Sequence, residues 1–553
     1  MAIETRLTPG MIDEYRSKGF WGDKTIGDYL DDAVEKYPNH LAVVDAQDRR
    51  CTYRELGDAV NRLMLGFRHL GIKKGDVVSV QLPGWVYFAC IYFALAKIGA
   101  IINPFIPNLR HKEIEYIANF SESVAIVVPS VFRGFDYAGM IEALRPKMPT
   151  VKHVFIVGDP VPEGMISFEE FLQTRWEDQV PAPGFQEGPT ADDILDLMYT
   201  SGTESVPKGA LHTHNSAIFG ELSLAKALGM AQDDVVFMPS PLGHAIGFYH
   251  GVTLPMLLGG TSVLLDVWEP EEGLKMMEKY RTTCSMAATP FLRMILDCPN
   301  LKQYDISAMR FFLSGGAPIP REIVLEYEKI GLRVLALYGS TESVPHTVCR
   351  RTDPPGKIYT TDGKATPGVE VKVVDDQRRE VPMGVLGEES SRGPHLFMGY
   401  FRQPDITKKS FDAEGWFYSG DLCRMDKDGY ITIDGRKKDI VIRGGENISV
   451  REVEDLIRSH PKVYNVACVA MPDAVMGEKV CAYVVMNLGE TITFRELVDY
   501  LLEKQLAKFK LPERLEIVAE FPMTATGKIQ KVALRKDVAN KLALEAQANS
   551  RIK

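Results

Sequence analysis

From about Val77 onward the chain alternates short apolar runs with longer stretches of helical spacing, and this alternation constrains the fold more than any other feature. The runs "VVSVQL", "VAIVVPS", "HVFIVG", "DLMYT", "VVFMP", "SVLLD", "SMAAT", "RFFLSGG" and "VLALYGS" each read as a short buried strand. Several are separated by ten or more residues of helical spacing, as between "VVSVQL" and the next run, where Trp85 to Ile98 reads as a helix. Apolar strands joined by helices make mostly parallel sheets covered on both faces, so the pattern predicts an α/β fold with a large, multilayered N-terminal domain. After about Val369 the texture changes, and "VEVKVVD" and "GYITIDGR" look like strands of a more exposed sheet. Beyond "GRKKD" a compact α+β pattern follows: a helix from Val450 to Ser459, "VACVAMP", "VCAYVVM", a helix from Phe494 to Leu506, then "RLEIVAEF". The predicted boundary lies near Lys438, giving domains 1–437 and 438–553, the second of ordinary domain size. No proline-rich or glycine-serine linker marks the joint, so a hinge there must consist of a few backbone positions.

Charge and cysteine usage narrow the function. The 553 residues carry a net charge of −10 with a pI of about 5.7, which argues against a general nucleic-acid binder and leaves room for a local basic site facing a phosphorylated ligand. The eight cysteines form no C-x-x-C pair, the pattern of reduced thiols in a cytoplasmic protein. The start, "MAIETRLTPG", lacks a secretory pattern, and the apolar run Val86 to Ala96 stops at Lys97, too short to span a bilayer. The end, "SRIK", is not a peroxisomal address. A monomer or homodimer without a membrane span is expected.

One loop, "YTSGTESVPKG" from Tyr199 to Gly209, concentrates hydroxyls, glycines and a lysine. "DLMYT" before it reads as a strand and "HNSAIFGELSLAKAL" after it as a helix with Asn215 as N-cap, which places the loop between strand and helix. Ligands of α/β sheets bind at such carboxyl ends of strands. Gly202 lets backbone N–H groups approach phosphate oxygens, Thr200, Ser201 and Thr203 offer hydroxyls, and Lys208 a point charge. The loop is not a P-loop, because Pro207 stands where the second glycine belongs and Gly209 follows Lys208. By itself it fits an exposed Ser/Thr/Gly turn equally well.

Further motifs change that balance. "SGGAP" at Ser314 to Pro318, "YGSTE" at Tyr338 to Glu342, "YSGDL" at Tyr418 to Leu422, "GRKKDIVIRGGENI" at Gly435 to Ile448 and "TGKIQK" at Thr526 to Lys531 follow the loop in order. With it they resemble the adenylate-forming superfamily of acyl-CoA synthetases, luciferases and peptide-synthetase adenylation domains, from about Thr25 to Lys536. One departure is Ser205, where that superfamily usually has glycine. The resemblance implies ATP, Mg²⁺ and coenzyme A. A carboxylate attacks the α-phosphate of ATP, and a thiol then attacks the acyl-adenylate. It also implies the roles. Glu342 is the Mg²⁺ ligand and Thr341 a donor to the α-phosphate. Gly316, Ala317, Tyr338 and Gly339 line the nucleotide. Asp421 accepts from the ribose hydroxyls, Arg436 contacts the ribose and phosphate side, and His244 in "PLGHAIGF" is a wall of the carboxylate site. Lys528 bridges carboxylate and phosphate, Gly444 and Gly445 leave a tunnel for pantetheine, and Lys438 is the pivot about which the small domain rotates.

The acid itself is less constrained. "SPLGHAIGFYHG" offers no carboxylate to pair with a substrate amine, which disfavours an amino-acid-activating domain. Ile246, Phe248, "LSGGA" and "ALYGS" are apolar or small and suit a neutral-tailed acid, most like the substrates of bacterial medium-chain or alicyclic carboxylate–CoA ligases, with an aromatic acid as the alternative. A relative that only binds nucleotide is disfavoured by the presence of Glu342, Asp421, Arg436 and Lys528.

Overall fold

The structure, a computed structural model, describes residues 3–179, 188–200, 208–316, 319–443, 446–473, 475–524 and 528–552. Of these, residues up to 370 together with 392–417 form one compact unit, and 371–391 with those from 418 onward form the other.

The first unit holds two large sheets. In the nine-stranded sheet, Val334–Ser340, Phe311–Ser314, Cys284–Ala287, Val235–Met238, Thr261–Leu264 and Leu41–Asp45 run parallel, with antiparallel strands at both edges. In the seven-stranded sheet, Ile101–Pro104, Val77–Val80, Ala125–Pro129 and His153–Val157 are parallel neighbours. Every apolar run singled out in the sequence up to Ser340 is a strand, because each side chain of such a run has a covered face to enter. Helix Val86–Ile98 packs against Ile26–Lys36 and Tyr53–His69, and all of it but Tyr87 and Lys97 is buried. A helix apolar all round belongs in a core, and each fully buried Phe or Ile in it stabilises the fold by about 1.5–3 kcal/mol. Among the described residues no helix is long and apolar enough to cross a membrane. All eight cysteines are free thiols, and six of them are buried.

Two local expectations are corrected. The loop after Thr200 does not run into a helix. A further strand, Lys208–Thr213, returns antiparallel to Ile194–Thr200, with Thr200 opposite Lys208. It is held from its other side by the segment 397–401, through Met398 N–H to Leu211 O (2.6 Å) and Phe401 N–H to Gly209 O (2.7 Å). The helix His214–Leu228 is capped by Thr213 rather than Asn215: Thr213 Oγ1 accepts from Ser216 N–H (3.1 Å) and Ser216 Oγ from Thr213 N–H (3.0 Å). Asn215 is taken up elsewhere. Its Oδ1 accepts from Gly22 N–H, and its Nδ2 donates to Gly22 O and Asp192 Oδ1.

His214, next to that cap, predicts a pH dependence of stability. It is fully buried, its Nδ1 accepts from Ile26 N–H at the start of helix Ile26–Lys36 (3.1 Å), and burial pushes it from the ordinary value of 6.5 down to about 4. The unfolded chain therefore binds a proton on this group at a pH where the folded chain does not. Stability is full above about 6.5 and falls as pH drops toward 4, by about 1.4 kcal/mol per pH unit from this one group. Thermal unfolding between pH 7 and 5 should show a falling midpoint, with a shallower fall in His214→Asn; equal slopes would remove His214 from the account.

The second unit carries nearly all of a four-stranded sheet of Glu370–Val374, Gly387–Arg392, Phe417–Met425 and Ile431–Arg436. It also holds a five-stranded sheet around Gly477–Met486, which pairs antiparallel with Val463–Asp473 and parallel with Arg514–Ile517. Helix Val450–Arg458 matches its sequence pattern. Helix Phe494–Glu503 stops short of Leu506, and Gln505 beyond its end has φ +63°, outside the helical range. The long terminal helix Lys531–Ile552, which the sequence pattern does not predict, packs against Val463–Asp473.

Candidate active site

"YGSTE" folds as the end of strand Val334–Ser340 and a tight turn into the antiparallel strand Val344–Val348. Ser340 closes the turn: its N–H donates to Ser343 Oγ (3.1 Å), and its Oγ accepts from Glu342 N–H (3.2 Å). Gly339 is required by close approach, since a Cβ there would lie 2.3 Å from Val344 O. Val344 itself, fully buried, has φ +41°, a strained conformation for a β-branched residue. Strain of this kind is worth about 1–3 kcal/mol and persists where the surroundings over-determine it. They do so here. Phe397 N–H donates to Glu342 O (2.8 Å), and the buried His212 binds Thr341 O through Nε2 (2.8 Å). Burial pushes His212 down to about 4, so at neutral pH it is the neutral imidazole, with its proton on Nε2 facing that carbonyl.

The Glu342 side chain is oriented by Tyr400, which no motif marks. Tyr400 Oη donates to Glu342 Oε1 at 2.8 Å. The face of the same ring lies 5.6 Å from Lys208 Nζ. Lys208, Tyr400 and Glu342 are thus brought together although they are far apart in the chain. Nothing in the spacing of "MGYF", where Tyr400 stands, points to Glu342. Gly316, which follows strand Phe311–Ser314, has φ +77°, open to glycine and strained for other residues. Tyr338 meets His346 edge-on, ring centroids 5.2 Å apart. His244 sits half-buried just before the π-helix Ile246–Thr253, its Nδ1 accepting from Ile246 N–H (3.2 Å). It is therefore not a fully buried core histidine. Ile246 is half-buried, whereas Phe248 is fully buried against Tyr92 (4.6 Å) and Phe88 (6.2 Å).

In the second unit, Asp421 and Arg436 face each other across the hairpin Phe417–Met425/Ile431–Arg436, with Arg436 Nε 3.4 Å from Asp421 Oδ1. Arg436 is half exposed, so the pair adds little stability, but it fixes the carboxylate's direction. Lys437 joins the same corner through Glu388 (3.1 Å). Lys438 lies in a single turn of 3-10 helix, Lys437–Asp439. Lys528 is half-buried; its N–H donates to Thr524 Oγ1 (3.0 Å) and its carbonyl accepts from Thr524 N–H (2.6 Å). Ser201, Gly202, Thr203, Ser205, Ala317, Gly444 and Gly445, and the side chains of Thr200 and Lys438, lie outside the described residues.

Residues 30–401 match the model of the AMP-binding enzyme family, and residues 452–528 that of the AMP-binding enzyme C-terminal domain. The chain belongs to this family. Its relatives include the medium-chain fatty-acid–CoA ligase of Escherichia coli (strain K12), 42% identical over 532 residues, covering 96% of this chain and 93% of the relative. The 2,3-dihydroxybenzoate-AMP ligase of Bacillus subtilis (strain 168) is 31% identical over 96% of this chain and 97% of its own length. Among solved structures, the anthranilate CoA ligase AuaEII in complex with anthranoyl-AMP superposes with a TM-score of 0.86 at 25% identity, covering 95% of this chain and 98% of that one. ATP-bound MatB from Rhodopseudomonas palustris gives 0.84 at 29% identity, covering 93% and 99%.

The family implies Mg²⁺. Among the described residues no group of three or more His, Cys, Asp or Glu gathers to hold a metal. A single oriented carboxylate such as Glu342 is the donor set suited to Mg²⁺, which keeps waters and takes substrate phosphate oxygens. The residues present therefore fit this ion.

Proposed function

We propose that the chain is an ATP-dependent, AMP-forming acyl-CoA ligase acting on a medium-chain fatty acid or a neutral ring-bearing acid of similar size. The observation that carries this reading is the 42% identity, over nearly all of both chains, to a medium-chain fatty-acid–CoA ligase. The apolar Ile246 and the absence of a carboxylate in "SPLGHAIGFYHG" agree with it. An aromatic acid is the second reading, favoured by the 2,3-dihydroxybenzoate and anthranilate relatives.

In the first half-reaction a substrate carboxylate oxygen forms a bond to the α-phosphorus of ATP, and pyrophosphate leaves. In the second, the thiol sulfur of coenzyme A bonds the acyl carbon, and AMP leaves. Neither step needs an enzyme nucleophile. Both need anions held together against their repulsion, which preorganised charge supplies. Glu342 would hold Mg²⁺, which would supply charge neutralisation to the phosphates. Thr341 donates to the α-phosphate, Lys208 faces the outer phosphates, and Asp421, held by Arg436, accepts from the ribose hydroxyls. Gly316, Ala317, Tyr338 and Gly339 bound the base. His244 walls the carboxylate end of the acyl site. Lys528 bridges carboxylate and phosphate in the first step only. Rotation about Lys438 then exchanges it for Gly444 and Gly445, whose missing side chains admit pantetheine.

The test is a panel of acids in a coenzyme-A-dependent AMP-release assay. Medium-chain and cyclohexane-type acids should give the highest kcat/KM. Each methylene removed from a filled apolar pocket should lower it about 10-fold or more. Preference for amino acids or long-chain acids would overturn the substrate assignment.

A further inference from the structure

We infer that Tyr400 is a positioning residue for two phosphate-side groups at once: its hydroxyl aims the Glu342 carboxylate at the metal, and its ring face steers the Lys208 ammonium. This rests on the proposed function, under which Glu342 and Lys208 meet Mg²⁺ and nucleotide.

The geometry is set by backbone before any side chain is considered. The segment carrying Tyr400 is hydrogen-bonded to both structures it would coordinate. Phe401 and Met398 tie it to the strand that begins at Lys208, Ala210 and Tyr400 form a β-bridge, and Phe397 N–H reaches the carbonyl of Glu342. Tyr400 N–H donates to Thr407 Oγ1 (2.8 Å), which fixes the residue from behind. The ring is 7% exposed and packs edge-on against Phe397, centroids 4.8 Å apart. A buried tyrosine hydroxyl needs a partner, and here it has an anionic one, Glu342 Oε1 at 2.8 Å. That bond occupies one carboxylate oxygen and so presents the group to a metal in one orientation. Groups behind a metal ligand act in this way, and removing them typically lowers metal affinity or activity about 10–100-fold. The Lys208 ammonium, 5.6 Å from the ring centroid, lies within cation–π range, so the ring is a soft rest from which the lysine can reach phosphate.

Tyr400→Phe keeps the ring and removes the hydroxyl; Tyr400→Ala removes both. ATP binding to the full chain is followed by calorimetry at varied Mg²⁺ for wild type, both variants, Glu342→Gln, and the Tyr400→Phe/Glu342→Gln double variant, with thermal unfolding to confirm that each is folded. Tyr400→Phe should raise the Mg²⁺ concentration for half-saturation about 10–100-fold and leave Mg²⁺-free ATP binding unchanged. Tyr400→Ala should weaken Mg²⁺-free binding as well. The double variant should be no worse than Glu342→Gln, because the hydroxyl acts through that carboxylate. An unchanged Mg²⁺ requirement in folded Tyr400→Phe, or additive losses in the double variant, overturns the inference while the proposed function stands. Wild-type protein whose ATP binding ignores Mg²⁺ overturns both.

Discussion

Lys528→Ala should slow acyl-adenylate formation about 10²–10³-fold, the usual loss when one preorganised charge contact is removed from a reacting centre. Two anions must meet in that step, and the ammonium offsets their repulsion. Lys528 is half-buried and its backbone N–H and carbonyl are both hydrogen-bonded to Thr524, so truncating the side chain removes the charge and leaves those backbone bonds in place. Transfer to coenzyme A starts from a mixed anhydride with pyrophosphate already gone, and under the proposed rotation the small domain has by then carried Lys528 away. Purified variant given synthetic acyl-adenylate and coenzyme A should therefore form thioester at close to the wild-type rate. Equal slowing in both assays would make Lys528 structural or common to both steps.

Glu342→Gln should give a loss of similar size, about 10²-fold or more in adenylation, with a different signature. Glutamine keeps the size of the side chain and an oxygen that accepts from Tyr400 Oη, so the turn closed by Ser340 and Ser343 should persist. What is lost is the negative charge proposed to hold Mg²⁺. Raising Mg²⁺ should therefore recover part of the rate in Glu342→Gln and none in Lys528→Ala. Following pyrophosphate release against Mg²⁺ concentration separates the two. A Glu342→Gln variant that saturates at the wild-type Mg²⁺ concentration would remove Glu342 as the ligand.

The sequence was most legible where one physical cause dominated. Apolar runs buried on both faces became strands because no other element covers such runs at that length, and Val86–Ile98 became a core helix because it has no polar face. It was least legible where several local solutions compete. Thr213, Asn215 and Ser216 are all good caps, and the choice fell to Thr213 because Asn215 is committed to Gly22 and Asp192, distant in sequence. "KGALHT" hides a strand because glycine, histidine and threonine blur the pattern, and its burial comes from a segment some 190 residues later, at Gly399. Tyr400 was missed for the same reason. Its partner Glu342 lies 58 residues away, and no spacing rule links them. Motifs marked the groups proposed to meet substrate; the group proposed to aim Glu342, Tyr400, appeared only in three dimensions.

An AMP-forming ligase cleaves ATP between its α- and β-phosphates to make a CoA thioester. The most direct test of this activity is the nucleotide formed when the chain is given octanoate, ATP, Mg²⁺ and coenzyme A. AMP and pyrophosphate, appearing in equal amounts with octanoyl-CoA, are the predicted products, whereas ADP and phosphate accompanying the thioester would contradict the account.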